Sequence, residues 1–109
     1  MYSEAIYNQG FVNNNGGIIY KPNGNRTGYV KNIKFNNTTA TAWIISLYRG
    51  NLKGERTLLY SLTLEEGDMI NDLQEYHIRA GDYLYAISDL ADSVSYFISG
   101  NEVSNDASK

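Results

Sequence analysis

Leu62-Thr63-Leu64-Glu65-Glu66-Gly67-Asp68-Met69-Ile70 and Tyr76-His77-Ile78-Arg79-Ala80-Gly81-Asp82-Tyr83-Leu84-Tyr85 share one pattern: apolar residues, an x-x-Gly-Asp step, and a return to apolar residues. Glycine admits the positive φ that closes a tight turn. The aspartate that follows can satisfy a nearby backbone N–H with its own carboxylate. Each stretch reads as a strand entering a turn and leaving as another strand. Gly67, Asp68, Gly81 and Asp82 are therefore structural turn residues, and the C-terminal half is a run of short antiparallel strands.

The same reading extends outward. Ile18-Ile19-Tyr20 follows Gly16-Gly17 and stops at Lys21-Pro22-Asn23-Gly24. In Thr27–Phe35, alternation puts Tyr29, Ile33 and Phe35 on one face, with Lys31 as an exception. Thr41–Tyr48 is apolar on both faces: Trp43, Ile45 and Leu47 on one, Ala42, Ile44 and Tyr48 on the other. That pattern predicts a central strand covered on both sides, by the N-terminal segment or by a partner chain. Arg49–Arg56, with two glycines, predicts a polar hairpin loop. Leu58, Tyr60, Leu62 and Leu64 are expected to point inward from the next strand. Tyr83–Ser88 and Ser93–Ser99 alternate as two more strands. Only Asn71–Tyr76 could form a turn of helix.

Seven or eight short strands near ten-residue spacing predict an all-β fold, an antiparallel β-sandwich of immunoglobulin-like or jelly-roll topology. The expected organisation is residues 1–15 as an N-terminal arm or edge strand, 16–103 as the sandwich domain and 104–109 as a flexible tail. Tyr2, Ile6, Tyr7, Phe11 and Val12 are apolar residues in an otherwise polar, Asn-rich start, which makes them candidates for an interface with a neighbouring subunit.

Composition narrows the function. The chain has 109 residues, enough for one domain and a modest core. It has no cysteine, hence no disulfide framework or thiolate metal site. A net charge of −3 gives no global field for nucleic acid or an anionic membrane. No basic region followed by an apolar run marks a signal peptide, and no stretch is long enough for a membrane helix. Asn25-Arg26-Thr27, Asn36-Asn37-Thr38 and Asn37-Thr38-Thr39 match the glycosylation sequon but read as turn residues.

The chemistry-bearing residues do not assemble into a catalytic pattern. His77 is the sole histidine, at a strand position, and no Gly-x-Ser-x-Gly elbow supplies a nucleophile. Glu65, Glu66, Asp68, Asp72 and Glu75 form the densest acidic run, without the spacing of a calcium loop. Asn13–Gly17 is glycine-rich but lacks the Gly-Lys-Ser/Thr of a phosphate loop. Lys21, Arg26, Lys31 and Lys34 interleave with Tyr20, Tyr29 and Phe35, a weak single-strand nucleic-acid pattern that the net charge opposes. No catalytic, cofactor or metal residue is assigned, no cofactor is expected, and an enzyme is not expected. The ten tyrosines, with the many asparagines, suit a protein–protein surface or a sugar-binding face.

The stretches Ala40–Tyr48, Leu62–Asp68, Ile78–Ala86 and Ser93–Glu102 together resemble the C-terminal half of small virion structural proteins of tailed bacteriophages, over roughly Tyr29 to Val103. The resemblance implies a β-sandwich in multiple copies on a capsid, neck or tail, made in the host cytoplasm and located in the virion. Its partners would be other virion proteins, with no membrane and no nucleic acid. The alternative from a different class is a carbohydrate-binding β-sandwich module.

Overall fold

The computed structural model describes residues 3–90 and 93–105. These form nine strands and no helix: β1 Ser3–Phe11, β2 Gly17–Tyr20, β3 Arg26–Asn37, β4 Trp43–Gly50, β5 Arg56–Leu64, β6 Met69–Asp72, β7 Tyr76–Ile78, β8 Tyr83–Ser88 and β9 Val94–Ser104. All pairings are antiparallel. One sheet, here sheet A, runs β1-β9-β3-β6, with β7 also on β3; the other, sheet B, runs β2-β8-β4-β5. β6 and β7 share the same edge of β3, against Ile33–Asn36 and Gly28–Val30 respectively. They act as one interrupted strand. Eight strand positions alternating in this way between two sheets make a jelly roll rather than an immunoglobulin-like sandwich.

The core lies between the sheets. Ile6, Val30, Ile33, Phe35 and Ile98 come from sheet A, and Ile19, Ile45, Leu47, Leu64 and Leu84 from sheet B, all buried. β4 is central in sheet B, between β8 and β5. Its inward residues Ile45 and Leu47 are fully buried, and Trp43 packs half-buried at the margin.

Several expectations need correction. Residues 71–76 form no helical turn: Asp72 ends β6 and accepts the Gln74 N–H at 2.9 Å, an Asx turn into β7. Tyr29 does not share a face with Ile33 and Phe35. The β3–β9 register shifts between Val30 and Asn32, so Lys31 is extruded and Val30 becomes the inward residue. Lys31, the exception in the alternation, is the bulge. Gly100 answers it on β9, because a Cβ there would stand 2.0 Å from Tyr29 O. A second bulge, between Leu47 and Tyr48, leaves Leu59 unpaired and turns Leu58 outward to face Tyr48. Leu58 is therefore exposed, not inward. The outer face of β4 is also uncovered, since Ile44 is exposed and β1 lies in the other sheet.

Side chains bridge the two seams between the sheets. On one side Asn8 Nδ2 of β1 donates to Ile19 O of β2 at 3.0 Å. On the other, Asp72 of β6 accepts from Tyr60 of β5 at 2.9 Å and from Tyr76 of β7 at 2.7 Å.

Candidate functional site

The two Gly-Asp turns have the geometry their sequence requires. Gly67 has φ 71° and Gly81 φ 91°. Asp68 N–H donates to Glu65 O at 3.0 Å, and Asp82 N–H donates to Arg79 O at 3.0 Å. Asp68 Oδ2 accepts the Glu65 N–H at 3.2 Å. Asp82 is nearly buried and holds Arg49 at 3.4 Å and Arg79 at 3.6 Å. Both turns position strands, and Arg79 and Asp82 of the second also line a shallow groove of about 370 Å³ with Arg49, Asn51 and Glu55.

The candidate interface residues of the N-terminal segment divide. Tyr2 lies outside the described residues. Ile6 and Val12 are buried in the core, because β1 is an edge strand of sheet A along its whole length, paired with β9 from Ser3↔Val103 to Phe11↔Ser95. They are unavailable to a partner. Tyr7 and Phe11 point away from the core and are exposed. Tyr7 meets the Phe97 ring at 6.3 Å. Phe11 and Phe97 line a groove of about 520 Å³ on the outer face of sheet A, with Gln9, Lys34, Asn36 and Met69. It is a mixed surface of rings, amides and one ammonium group.

Sheet B carries an apolar outer face of its own, with Ile18, Ile44 and Leu58 exposed. Cross-strand pairing places Ile18 beside Tyr85, Tyr85 beside Tyr48, and Tyr48 beside Leu58. Ile44 and Ile87 continue the patch. Arg56 lies over the Tyr85 ring at 3.9 Å and donates to Tyr83 Oη at 3.3 Å. The hydrogen bond to Tyr83 holds the guanidinium in its charged form and raises its pKa. Tyr83 covers Gly50, its cross-strand partner, where a Cβ would overlap the ring. The sequence signal for this face was the apolar pattern on both sides of β4.

Two polar clusters join the sheets. Tyr20 of β2 donates to Glu102 Oε2 of β9 at 2.6 Å, while Arg26 Nη1 contacts both Glu102 and Glu4. Burial, then the bond to Glu102, pushes the Tyr20 phenol far above its ordinary value. Burial and Asp72 do the same to Tyr60 and Tyr76. The first cluster lines a polar groove of about 270 Å³ with Asn8, Lys21 and Asn23. Sequence reading missed both clusters, because partners up to 82 positions apart meet only in the fold.

The remaining candidates stay apart. His77 is exposed on β7, hydrogen-bonded to Glu75 at 2.8 Å and edge-on to Tyr29 at 4.7 Å. That contact with His77 lowers the Glu75 pKa. Among the described residues, no three His, Cys, Asp or Glu side chains gather closely enough to hold a metal ion. Phe35 and Tyr20 are buried and Arg26 is engaged by carboxylates, so the basic aromatic stretch presents no ring ladder to a nucleic acid. Asn37 is buried, and its amide is bonded to Thr41 O, Leu64 O and Glu65 O. It is a structural residue rather than a glycan acceptor.

No family model matches the chain, and no curated protein matches it. Among solved structures, it is similar to a chain described as "Bacillus endospore appendages form a novel family of disulfide-linked pili". That match has a TM-score of 0.50 and 18% identity, and covers 94% of this chain and 87% of that one. A chain described as "Crystal structure of PirA" has a TM-score of 0.47 and 16% identity, covering 93% and 94%. A chain of infectious bursal disease virus, Gt strain, has a TM-score of 0.32 and 7% identity, covering 93% of this chain and 31% of that one. Nothing in these neighbours points to a tailed-phage protein specifically. The disulfide linkage named for the first has no counterpart here, since this chain has no cysteine. What the chain shares with the appendage protein is the fold: a small two-sheet all-β sandwich.

Proposed function

We propose that this chain is a non-enzymatic structural subunit that works in many copies, joined to others of its kind. The observation that carries this reading is the outer face of sheet B. Ile18, Ile44, Tyr48, Leu58 and Tyr85 line one side of a small domain with no layer over them, the type of surface that marks an interface. A pilus is an assembly of this kind, but fold does not transfer function. The finer reading is a virion component of a tailed phage, made in the host cytoplasm and bound to other particle proteins. Size-exclusion chromatography with light scattering tests the multi-copy reading. Masses at multiples of 12.2 kDa that rise with concentration are expected; a monomer at every concentration overturns it. Mass spectrometry of purified particles tests the phage form, where stoichiometric copies are expected.

A second reading rests on the sheet A groove. Rings of Phe11 and Phe97 beside the amides of Gln9 and Asn36 suit the faces and hydroxyls of a sugar. Glycan titration followed by NMR should then shift these residues and lose the effect in Phe97→Ala.

A further inference from the structure

Charge is segregated between the two ends of the jelly roll. The strands run along a body 51 Å long and 19–26 Å across. At one end lie the loops Val12–Gly16, Thr38–Ala42 and Glu65–Asp68, and the described part of the β8–β9 loop. Backbone hydrogen bonds from Asn37 to Asp68, Thr38 to Ser93 and Ser88 to Asn13 gather them into one surface. Its charged residues are Glu65, Glu66, Asp68 and Asp89, all exposed. Among the described residues none of the four has an ion-pair partner, and no described residue of these loops is cationic.

The opposite end carries the β2–β3, β4–β5 and β7–β8 loops. There Arg26 is occupied by Glu4 and Glu102, and Arg49 and Arg79 share Asp82. Among the described residues, Lys21, Lys53 and Arg56 have no ion-pair partner, against Glu55, which is bonded to Asn51. This end is therefore cationic. β3 alone spans 12 residues, roughly 40 Å at about 3.3 Å per residue. That is several Debye lengths at physiological salt, about 8 Å each, so the ends cannot neutralise one another within one molecule. Each also presents an exposed leucine: Leu52 at the cationic end, 80% exposed, and Leu90 at the carboxylate end, 46% exposed.

We infer that the carboxylate end of one copy docks on the cationic end of the next, so that copies stack head to tail. The occupant is a second copy of this chain because the complementary charge and a second exposed leucine are both found on the same molecule. Such a contact is heterologous: each copy keeps one donor end and one acceptor end, and the stack grows rather than closing at two. This inference rests on the multi-copy reading above and names one of its contacts.

Charge reversal with complementation tests it. Glu65→Lys with Glu66→Lys makes one end cationic; Lys21→Glu with Lys53→Glu makes the other anionic. All four side chains are exposed, and circular dichroism melts check that the variants fold. If a reversed variant does not fold, Glu65→Gln with Glu66→Gln replaces it, read by weaker association alone. Wild type should form chains beyond the dimer that dissociate as salt rises from about 0.05 to about 0.5 M. Each variant alone should need about 10- to 100-fold more protein to associate. An equimolar mixture of the two should restore growth, because like ends become opposite ends between variants. Wild-type association that ignores salt, reversal and mixing overturns head-to-tail stacking while leaving the multi-copy reading intact, and so does a closed dimer. A wild type that stays monomeric at all salts overturns both.

Discussion

The Tyr20 hydroxyl donates to Glu102 Oε2 at 2.6 Å and so ties the end of β2 in sheet B to β9, which lies between β1 and β3 in sheet A. Glu102 is 5% exposed, and the shared Arg26 extends the tie to Glu4 of β1. One phenol thus keeps a carboxylate satisfied at the point where the two layers meet. Tyr20→Phe should lower stability by about 1–3 kcal/mol, since it leaves a nearly buried carboxylate short of a donor. Chemical denaturation measures it, and the loss should shrink when Glu102→Gln is made in the same chain.

Alkali should unfold the protein through its tyrosines. Tyr20, Tyr60 and Tyr76 all hold their protons above the ordinary phenol value of 10.0, chiefly because of burial and next because of a carboxylate partner. The unfolded chain ionises at the ordinary value, so the folded state binds more protons above it. The stabilisation is complete below pH 10 and is lost as pH rises beyond it. Melting temperature followed from pH 8 to pH 12 should fall at the alkaline end, and less steeply in Tyr60→Phe.

Gly81 and Gly67 should differ in tolerance although both have positive φ. A Cβ at Gly67 meets nothing within 4 Å, whereas one at Gly81 comes within 2.8 Å of the Leu52 side chain. Gly67→Ala should cost about 1–2 kcal/mol from backbone strain alone. Gly81→Val should cost about 1–3 kcal/mol and displace Leu52, read as a lower denaturation midpoint.

Trp43 should report a half-buried site. Its Nε1–H donates to Thr39 Oγ1 at 2.7 Å, and its ring packs on the core margin. The native emission maximum should lie between those of buried and exposed indoles, and should move to the red in Thr39→Ala. Trp43→Ala should cost about 2–4 kcal/mol, less than a fully buried tryptophan would.

What was legible in the sequence was local. A Gly-Asp step dictates its turn from its own backbone needs, and alternation marked most strands from Ile18 onward. Leu58 and Tyr29 were placed on the wrong face because a bulge is set by the partner strand, which the alternation of one strand does not reveal. Ile6 and Val12 read as free apolar groups because the strand that draws this segment into sheet A, β9, lies near the far end of the sequence. The segregated ends were illegible for the same reason: Asp89 joins Glu65, Glu66 and Asp68 only once four loops meet. The outer apolar face of β4 was visible in sequence, but whether another part of the chain covers it is a question of topology.

The position of β9 has a consequence for synthesis. β1 and β3 are neighbours in sheet A only through β9, the last of these nine strands to leave the ribosome. Until it emerges, β1 and β3 lack the pairing partner they share, while the β4–β5 hairpin can already close. Such non-local pairing folds slowly, in milliseconds to seconds. The nascent chain therefore passes through an interval with an exposed, unpaired half-sandwich, the form most prone to aggregate. In a cell producing many copies at once, shielding by a chaperone would act in that interval, before the ninth strand threads between the first and the third.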